Sequence, residues 1–380
     1  MDDERTPVAA DGSDADERPA VEDGLSEAAA EASIAEIVEA ERARQAEEAA
    51  VAEAEEAAEL EEPYDGDADA DAGAVVDTDA DAATQEKQPA RRLAVLGSPI
   101  GHTRSPLLHR AAYEALGLDW AYGTADVTAD DLAGFLSRLG PEWRGLSLTM
   151  PLKQAVIPLA DERDRFAEQT GAANTVLLDG GSVLAFNTDV RGMVRAVEAT
   201  EIGDVRYVHV LGGGATAASA LVAAAELGAE RVDVFVRSLE RSVWLEPLAH
   251  ALGLMVRIRP LSQADRSLEV PQLVISTLPG GVTTDAFYTD STRRRALLFD
   301  VSYDPWPSIL GAAWAAVGGR VVSGLALLAH QALLQVRIFV SGDPLQPLES
   351  EDAVFAAMLD AVGIDATGAP LDDASAAVED

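Results

Sequence analysis

Between Val208 and Val236 the chain passes through an apolar tetrad, Val208-His209-Val210-Leu211, then Gly212-Gly213-Gly214. An Ala-rich stretch follows to Gly228, and then a second apolar run over 232–236. Few folds accommodate that order. A buried strand, a glycine turn and a run of good helix formers, followed by another β-branched stretch, read as a parallel crossover unit. Glycines at such a turn let a ligand phosphate approach backbone N–H groups at the positive end of the helix dipole. The pattern implies a Rossmann-like dinucleotide-binding unit with Gly212, Gly213, Gly214 and Ala215 as cofactor-binding candidates. A triple glycine alone would equally suit a plain tight turn. The tip of the second strand refines the reading. An acid there would bind the ribose hydroxyls of NAD, but the strand ends Phe235-Val236-Arg237-Ser238. The Arg237 guanidinium and the Ser238 hydroxyl suit the 2′-phosphate of NADP, although strand ends also carry solvated arginines.

The same alternation extends to both sides. An apolar run over 92–97 predicts a strand. Ser105 and Pro106 then predict an N-cap and first-turn proline for a helix carrying Leu108, Ala112 and Leu116 and stopped by Gly117. Thr128 with Asp131 predicts a second cap before Leu132. Further strands are expected over 146–150, 174–178, 183–186, 255–258, 273–276, 297–301 and 320–322, and a last helix over 325–340 should pack back on the first domain. The fold class is α/β: a discontinuous substrate domain over 91–193 and 324–365, and a Rossmann-like domain over 194–323.

The ends differ in physics. Residues 1–90 hold 30 acidic and 5 basic residues, against 36 and 23 in the other 290, and contain one tyrosine, Tyr64, with no Phe or Trp. Such a stretch buries too little apolar surface to offset the entropy of ordering. It is expected to be a disordered acidic extension, partly helical over 27–62, and residues 366–380 a disordered tail. A net charge of -38 argues against a nucleic-acid partner. The absence of cysteine removes disulfides, thiolate nucleophiles and Cys-ligated zinc. Five scattered histidines, His102, His109, His209, His250 and His330, lack metal-ligand spacing, so no metal is expected. No run approaches the roughly 20 apolar residues of a bilayer span, and the N-terminus is acidic rather than basic-then-apolar. The expectation is a cytoplasmic protein with a small-molecule substrate and no membrane partner, as a monomer or homodimer.

Polar residues gather at strand ends in the first half: Thr103, Ser105, Ser147, Thr149, Lys153, Asn174, Asn187, Thr188 and Asp189. Ligands bind at such edges in open α/β sheets. Hydroxyls, carboxamides and one Lys–Asp pair suit a small polyhydroxylated carboxylate. Singly, each could be structural: Ser105 a cap, Asn174 an Asx turn.

From Arg92 to about Leu359 the chain resembles shikimate dehydrogenases. The resemblance rests on GSPIGHTRSPLLH (97–109), GLSLTMPLK (145–153), GAANT (171–175), FNTD (186–189), LGGGATA (211–217), STLPGG (276–281), DVSYDPWPS (300–308) and GLALLAHQA (324–332), in the family's order. It implies NADP-linked, reversible reduction of 3-dehydroshikimate to shikimate, a step of aromatic biosynthesis. It also implies individual roles. Thr103 and Ser105 match the hydroxyl pair that holds the substrate carboxylate, with Thr103 in place of a Ser. Thr149 and Lys153 match the threonine and catalytic lysine of the family's NVTxPxK motif. Asn174, Tyr303 and Gln331 match substrate-binding positions, and Asp189 the acid paired with the lysine. Thr277 and Gly324, in the matched motifs, join the cofactor candidates. Ser147 replaces the usual Asn, Ala215 a glycine, Val236 an Asn and Ile309 a Pro. A quinate/shikimate paralogue and a non-catalytic scaffold acting through the acidic tail are the rival readings. Arg237 speaks against an NAD enzyme, and Lys153 with Asp189 against a scaffold.

Overall fold

The computed structural model describes residues 90–371, apart from His102 and residues 267–268. The expectations for the acidic extension and for residues 372–380 lie outside these residues.

Two six-stranded sheets organise the described chain. The first contains β1 (Arg91–Gly97), β2 (Trp120–Asp126), β3 (Trp143–Leu148), β4 (Glu162–Arg163), β5 (Thr175–Asp179) and β6 (Ser182–Phe186), in the order β2-β1-β3-β5-β6-β4. β1 pairs in parallel with β2 and β3, while β3, β5 and β6 pair antiparallel. The alternation of side chains along β1 builds two cores. Leu93 and Val95 enter one cluster, with Tyr113, Leu333 and Phe339, while Ala94 and Leu96 enter the other, with Leu132, Leu146 and Leu152.

The second sheet is parallel throughout. Its strands are β7 (Tyr207–Leu211), β8 (Arg231–Val236), β9 (Met255–Pro260), β10 (Leu273–Ser276), β11 (Leu297–Asp300) and β12 (Val321–Val322). Their order, β12-β11-β10-β7-β8-β9, is the doubly wound arrangement the glycine turn implied. The helix Ala215–Glu226 buries Ala217, Ala218, Leu221 and Val222 against one face, and the helix Ile309–Ala315 buries Trp314 against the other.

Two helices belong to both halves. Asp189–Glu198 places Val190, Met193, Ala196 and Val197 in the core of the second sheet, so the expected boundary at 193 falls inside a continuous helix. Gly324–Ser341 contributes Ala326 and Leu327 to that core, and Ala329, Leu333, Val336 and Phe339 to the first. By length and composition this 18-residue helix could cross a membrane, so the run is longer than the sequence reading allowed; 72% of it is buried inside the fold, as in a core helix.

Several local expectations change. Ser105 is the first residue of its helix, Ser105–Ala115, and caps nothing; Arg104 holds the N-cap position without a side-chain bond. Thr128 donates to Asp131 at 2.7 Å, but neither side chain caps the helix Leu132–Leu136. β3 begins three residues earlier than expected and ends two earlier, because Thr149 onward turns into the loop before Lys153; β5 begins one later, although the Asn174 backbone still bonds to Leu148 and Phe186. Residues 366–371 are ordered rather than part of a tail. Ile364 bridges Pro370, His330 Nε2 meets the Ala366 carbonyl at 3.0 Å, and Ser323 Oγ donates to the Gly368 carbonyl at 3.3 Å.

Candidate active site

The loops after β1, β3, β7 and β11 enclose a cavity of about 310 Å³, within the range of small-ligand sites. It lies where the chain leaves β1 for β2 on one side and β3 on the other, a topological switch point. Thr103, Ser105, Thr149, Lys153, Asn174, Asp189, Tyr303, Gln331 and Gly324 all line it, brought together from positions up to 228 residues apart in sequence.

Lys153 Nζ donates to Asp189 Oδ2 at 2.7 Å, with the lysine side chain 20% exposed and the aspartate 6%. The ammonium makes no other hydrogen bond among the described residues, so its remaining donors are free for a ligand. Asp189 is held on every side. Its Oδ1 accepts from Asn174 Nδ2 at 2.8 Å, and its backbone N–H donates to Asn187 Oδ1 at 3.0 Å. It also opens the helix Asp189–Glu198, whose dipole favours a negative charge there. Asn174 is no Asx turn. Its amide nitrogen reaches Gln331 Oε1 at 3.0 Å as well as Asp189, and its Oδ1 accepts from the Thr188 N–H at 2.9 Å. Leu152 is fully buried beside the lysine, whereas Met150 is 69% exposed and shields nothing.

On the β1 side, Thr103 Oγ1 donates to Ser105 Oγ at 3.3 Å and accepts from the Ser105 N–H. Two hydroxyls at the start of a helix suit a carboxylate. Tyr303 faces them, and burial, reinforced by the Asp304 carboxylate, raises its phenol above the ordinary value. It is therefore a neutral O–H at physiological pH.

The cofactor candidates gather around the second sheet's switch point, between β7 and β10. Gly212 has φ +113°, and a Cβ there would lie 2.2 Å from Thr277 Oγ1, so the turn admits no side chain. Thr277 in turn donates to the Leu211 carbonyl at 2.8 Å, closing the end of β7 against β10. Gly214 is the extended N-cap of Ala215–Glu226 and no side chain caps that helix, which leaves first-turn N–H groups to meet a phosphate. Arg237 lies exposed at the end of β8 without an ion pair among the described residues, and Ser238 beside it accepts weakly from the Arg241 N–H. These features fit a dinucleotide with an extra phosphate. Gly212, Gly213, Gly214, Ala215, Arg237, Ser238 and Thr277 do not line the substrate cavity, while Gly324 does.

Three polar lining residues were given no site role by the sequence: Thr216, Ser147 and Gln335. Thr216 follows the glycine turn by two positions and points the cofactor side of the fold into the cavity. Ser147, named among the strand-end polar residues and as a replaced Asn but given no role, and Gln335 also line it. A polar residue one turn after Gln331 on an apolar helix was the available signal for Gln335.

Comparison with known proteins places the sequence and the fold. Residues 95–176 match the family model of the shikimate dehydrogenase substrate-binding domain. The chain is 34% identical over 270 residues to the NADP(+) shikimate dehydrogenase of Geobacter metallireducens, covering 67% of this chain and 92% of that protein. The Methanothermobacter thermautotrophicus enzyme of the same name is 31% identical over 270 residues, covering 68% and 94%. Among solved structures, Mycobacterium tuberculosis shikimate dehydrogenase is 38% identical with a TM-score of 0.62, covering 70% of this chain and 98% of that one. A Thermus thermophilus shikimate 5-dehydrogenase in complex with NADP(H) and shikimate is 30% identical with a TM-score of 0.61, covering 71% and 99%.

Proposed function

The chain belongs to the shikimate dehydrogenase family, and on that premise we propose that it catalyses the reversible, NADP-dependent reduction of 3-dehydroshikimate to shikimate. The observation that carries this reading is the Lys153–Asp189 pair at 2.7 Å in a cavity walled by hydroxyls and carboxamides. NADP, when bound, supplies or accepts the hydride. Gly212, Gly213, Gly214 and Ala215 would hold its pyrophosphate, Arg237 and Ser238 its 2′-phosphate, and Thr277 and Gly324 its nicotinamide side.

The protein's own work is to place the substrate and move one proton. Thr103 and Ser105 bind the carboxylate, while Thr149, Asn174, Gln331 and Tyr303 bind around the ring. Lys153 Nζ gives a proton to the forming alkoxide and takes it back in the reverse direction. Asp189 has both carboxylate oxygens engaged, by Lys153 and Asn174, so it orients the ammonium and balances its charge. The first sheet with its helices forms the substrate half and the second sheet the cofactor half, the two shared helices carrying Asp189 and Gln331 between them. Closure of the halves would exclude water from the hydride path.

Steady-state assays with shikimate and quinate, each with NADP+ and NAD+, test the reading. Shikimate with NADP+ should give the highest kcat/KM. Faster turnover of quinate, or equal use of NAD+, would replace it with the paralogue reading.

A further inference from the structure

Beneath the cavity Gln335 is 1% exposed and makes four hydrogen bonds, as many as its amide can form. Its Nε2 lies 3.0 Å from the Asn174 carbonyl and 3.0 Å from Thr175 Oγ1. Its Oε1 lies 2.8 Å from Ser147 Oγ and 3.1 Å from His109 Nε2. A backbone carbonyl can only accept, so the amide cannot be turned over. Its nitrogen must face Asn174 and its oxygen must face Ser147 and His109.

The polarity of every neighbour follows. Oε1 only accepts, so His109 carries its proton on Nε2 and the Ser147 hydroxyl must spend its single hydrogen on Gln335. Burial lowers the His109 pKa to about 3, so Nδ1 stays free to accept from Tyr113 OH at 3.2 Å. Tyr122 OH, 2.7 Å from Ser147 Oγ, can then only donate to it. Burial raises the Tyr122 phenol, which keeps that hydrogen in place. His109 stacks on the Tyr122 ring, centroids 4.0 Å apart and planes at 8°, locking the arrangement. Ser147 is left with one lone pair and no hydrogen for the cavity it lines.

We propose that Gln335 is a positioning residue that fixes Ser147 as a pure acceptor toward the substrate, so that this wall selects a non-reacting ring hydroxyl. The proposal rests on the functional reading above. An Asn at 147 would offer an amide N–H as well; this chain's Ser–Gln pair does not. A ketone, ether or fluorine in that position finds no donor and leaves the Ser147 lone pair buried and unpaired.

The test compares kcat/KM with NADP+ for shikimate and for two analogues, each with one non-reacting ring hydroxyl replaced by fluorine, which cannot donate. The wild-type enzyme should lose about 10- to 100-fold on one analogue, the usual effect of a buried unpaired group. Gln335→Met frees the Ser147 hydroxyl to turn and donate, and should bring that ratio below about 3-fold. Gln335→Glu, with its carboxyl protonated toward the Asn174 carbonyl, keeps an acceptor oxygen for Ser147 and should retain the wild-type ratio. A merely structural role would lower activity on all three substrates together and leave the ratio alone. The proposal is overturned if wild type treats the three alike or if Gln335→Met keeps the discrimination. Should neither Gln335 variant fold, Ser147→Ala decides: loss of the ratio supports the proposal and its persistence overturns it. Absence of any turnover of shikimate by wild type would instead overturn the functional reading.

Discussion

At the scale of single residues, the Lys153–Asp189 pair is built asymmetrically, and that asymmetry predicts unequal mutants. Lys153 keeps free donors facing the cavity, whereas Asp189 has both oxygens and its N–H committed. Lys153→Ala should therefore reduce kcat by about 10²–10⁴-fold with a smaller effect on KM, the usual contribution of a positioned acid or base. Asp189→Asn should reduce kcat less, and the double mutant should lose far less than the product of the two losses, because both act through one ammonium. Multiplicative losses in steady-state kinetics would show two independent roles. A Lys153→Ala enzyme with wild-type kcat and only a raised KM would remove the proton-transfer role. Arg237, exposed and without an ion pair among the described residues, supports a second expectation. Wild type should prefer NADP+ over NAD+ by about 100-fold in kcat/KM, worth roughly 3 kcal/mol. Arg237→Ala should erode that preference through KM for NADP+ while barely changing use of NAD+; an unchanged preference would make Arg237 a solvated surface residue.

At the scale of elements, the site depends on how closely Asp189–Glu198 approaches Gly324–Ser341. Gly192 makes that approach possible, since a Cβ there would lie 2.8 Å from Gln331 Cβ and 3.1 Å from its Cα. Gly192→Ala should force the two helices apart and cost about 1–3 kcal/mol, as overpacking of a filled core does. It should also lower kcat, because Asp189 rides on one helix and Gln331 on the other. A variant with wild-type melting temperature and kinetics would show that the helices separate freely. The same elements show what was legible in the sequence. Strands β7 and β8 were plain because parallel strands buried on both faces are continuous apolar runs. β2, Trp120–Asp126, was not: it is an edge strand with a glycine inside and mostly exposed side chains, so neither period nor propensity marks it. Lys153, Asp189 and Asn174 could be named from local motifs, each at a strand end. The Ser147–Gln335 bond could not, because it joins residues 188 positions apart and no local pattern specifies such a pairing.

At the scale of the whole molecule, both sheets enclose histidines that must stay neutral, and this sets how the fold responds to acid. Burial lowers the pKa of His109 to about 3, of His209 to about 4 and of His330 to about 4. His209 meets Tyr207 OH at 2.7 Å and Tyr288 OH at 3.0 Å in the second sheet, while His330 packs on Phe355 behind the first. In the unfolded chain each would titrate near 6.5. Below that pH the unfolded state binds protons that the folded state refuses, so stability falls as pH falls, by up to about 1.4 kcal/mol per pH unit for each histidine. Burial raises the carboxyls of Asp164 and Asp300, which works in the opposite sense. Three lowered histidines act against two raised carboxyls, so the net expectation between about pH 5 and 6.5 is a loss of stability as pH falls. The melting temperature should be nearly level above pH 7 and fall steadily from pH 6.5 to 5. His330→Leu keeps the packing on Phe355 and removes one of the three titrations, so it should flatten that fall by about a third. Melts at half-unit pH steps on both proteins check this. A wild-type melting temperature that stays level down to pH 5 would mean that the histidines take up protons in the folded state and that the fold makes room for the charge.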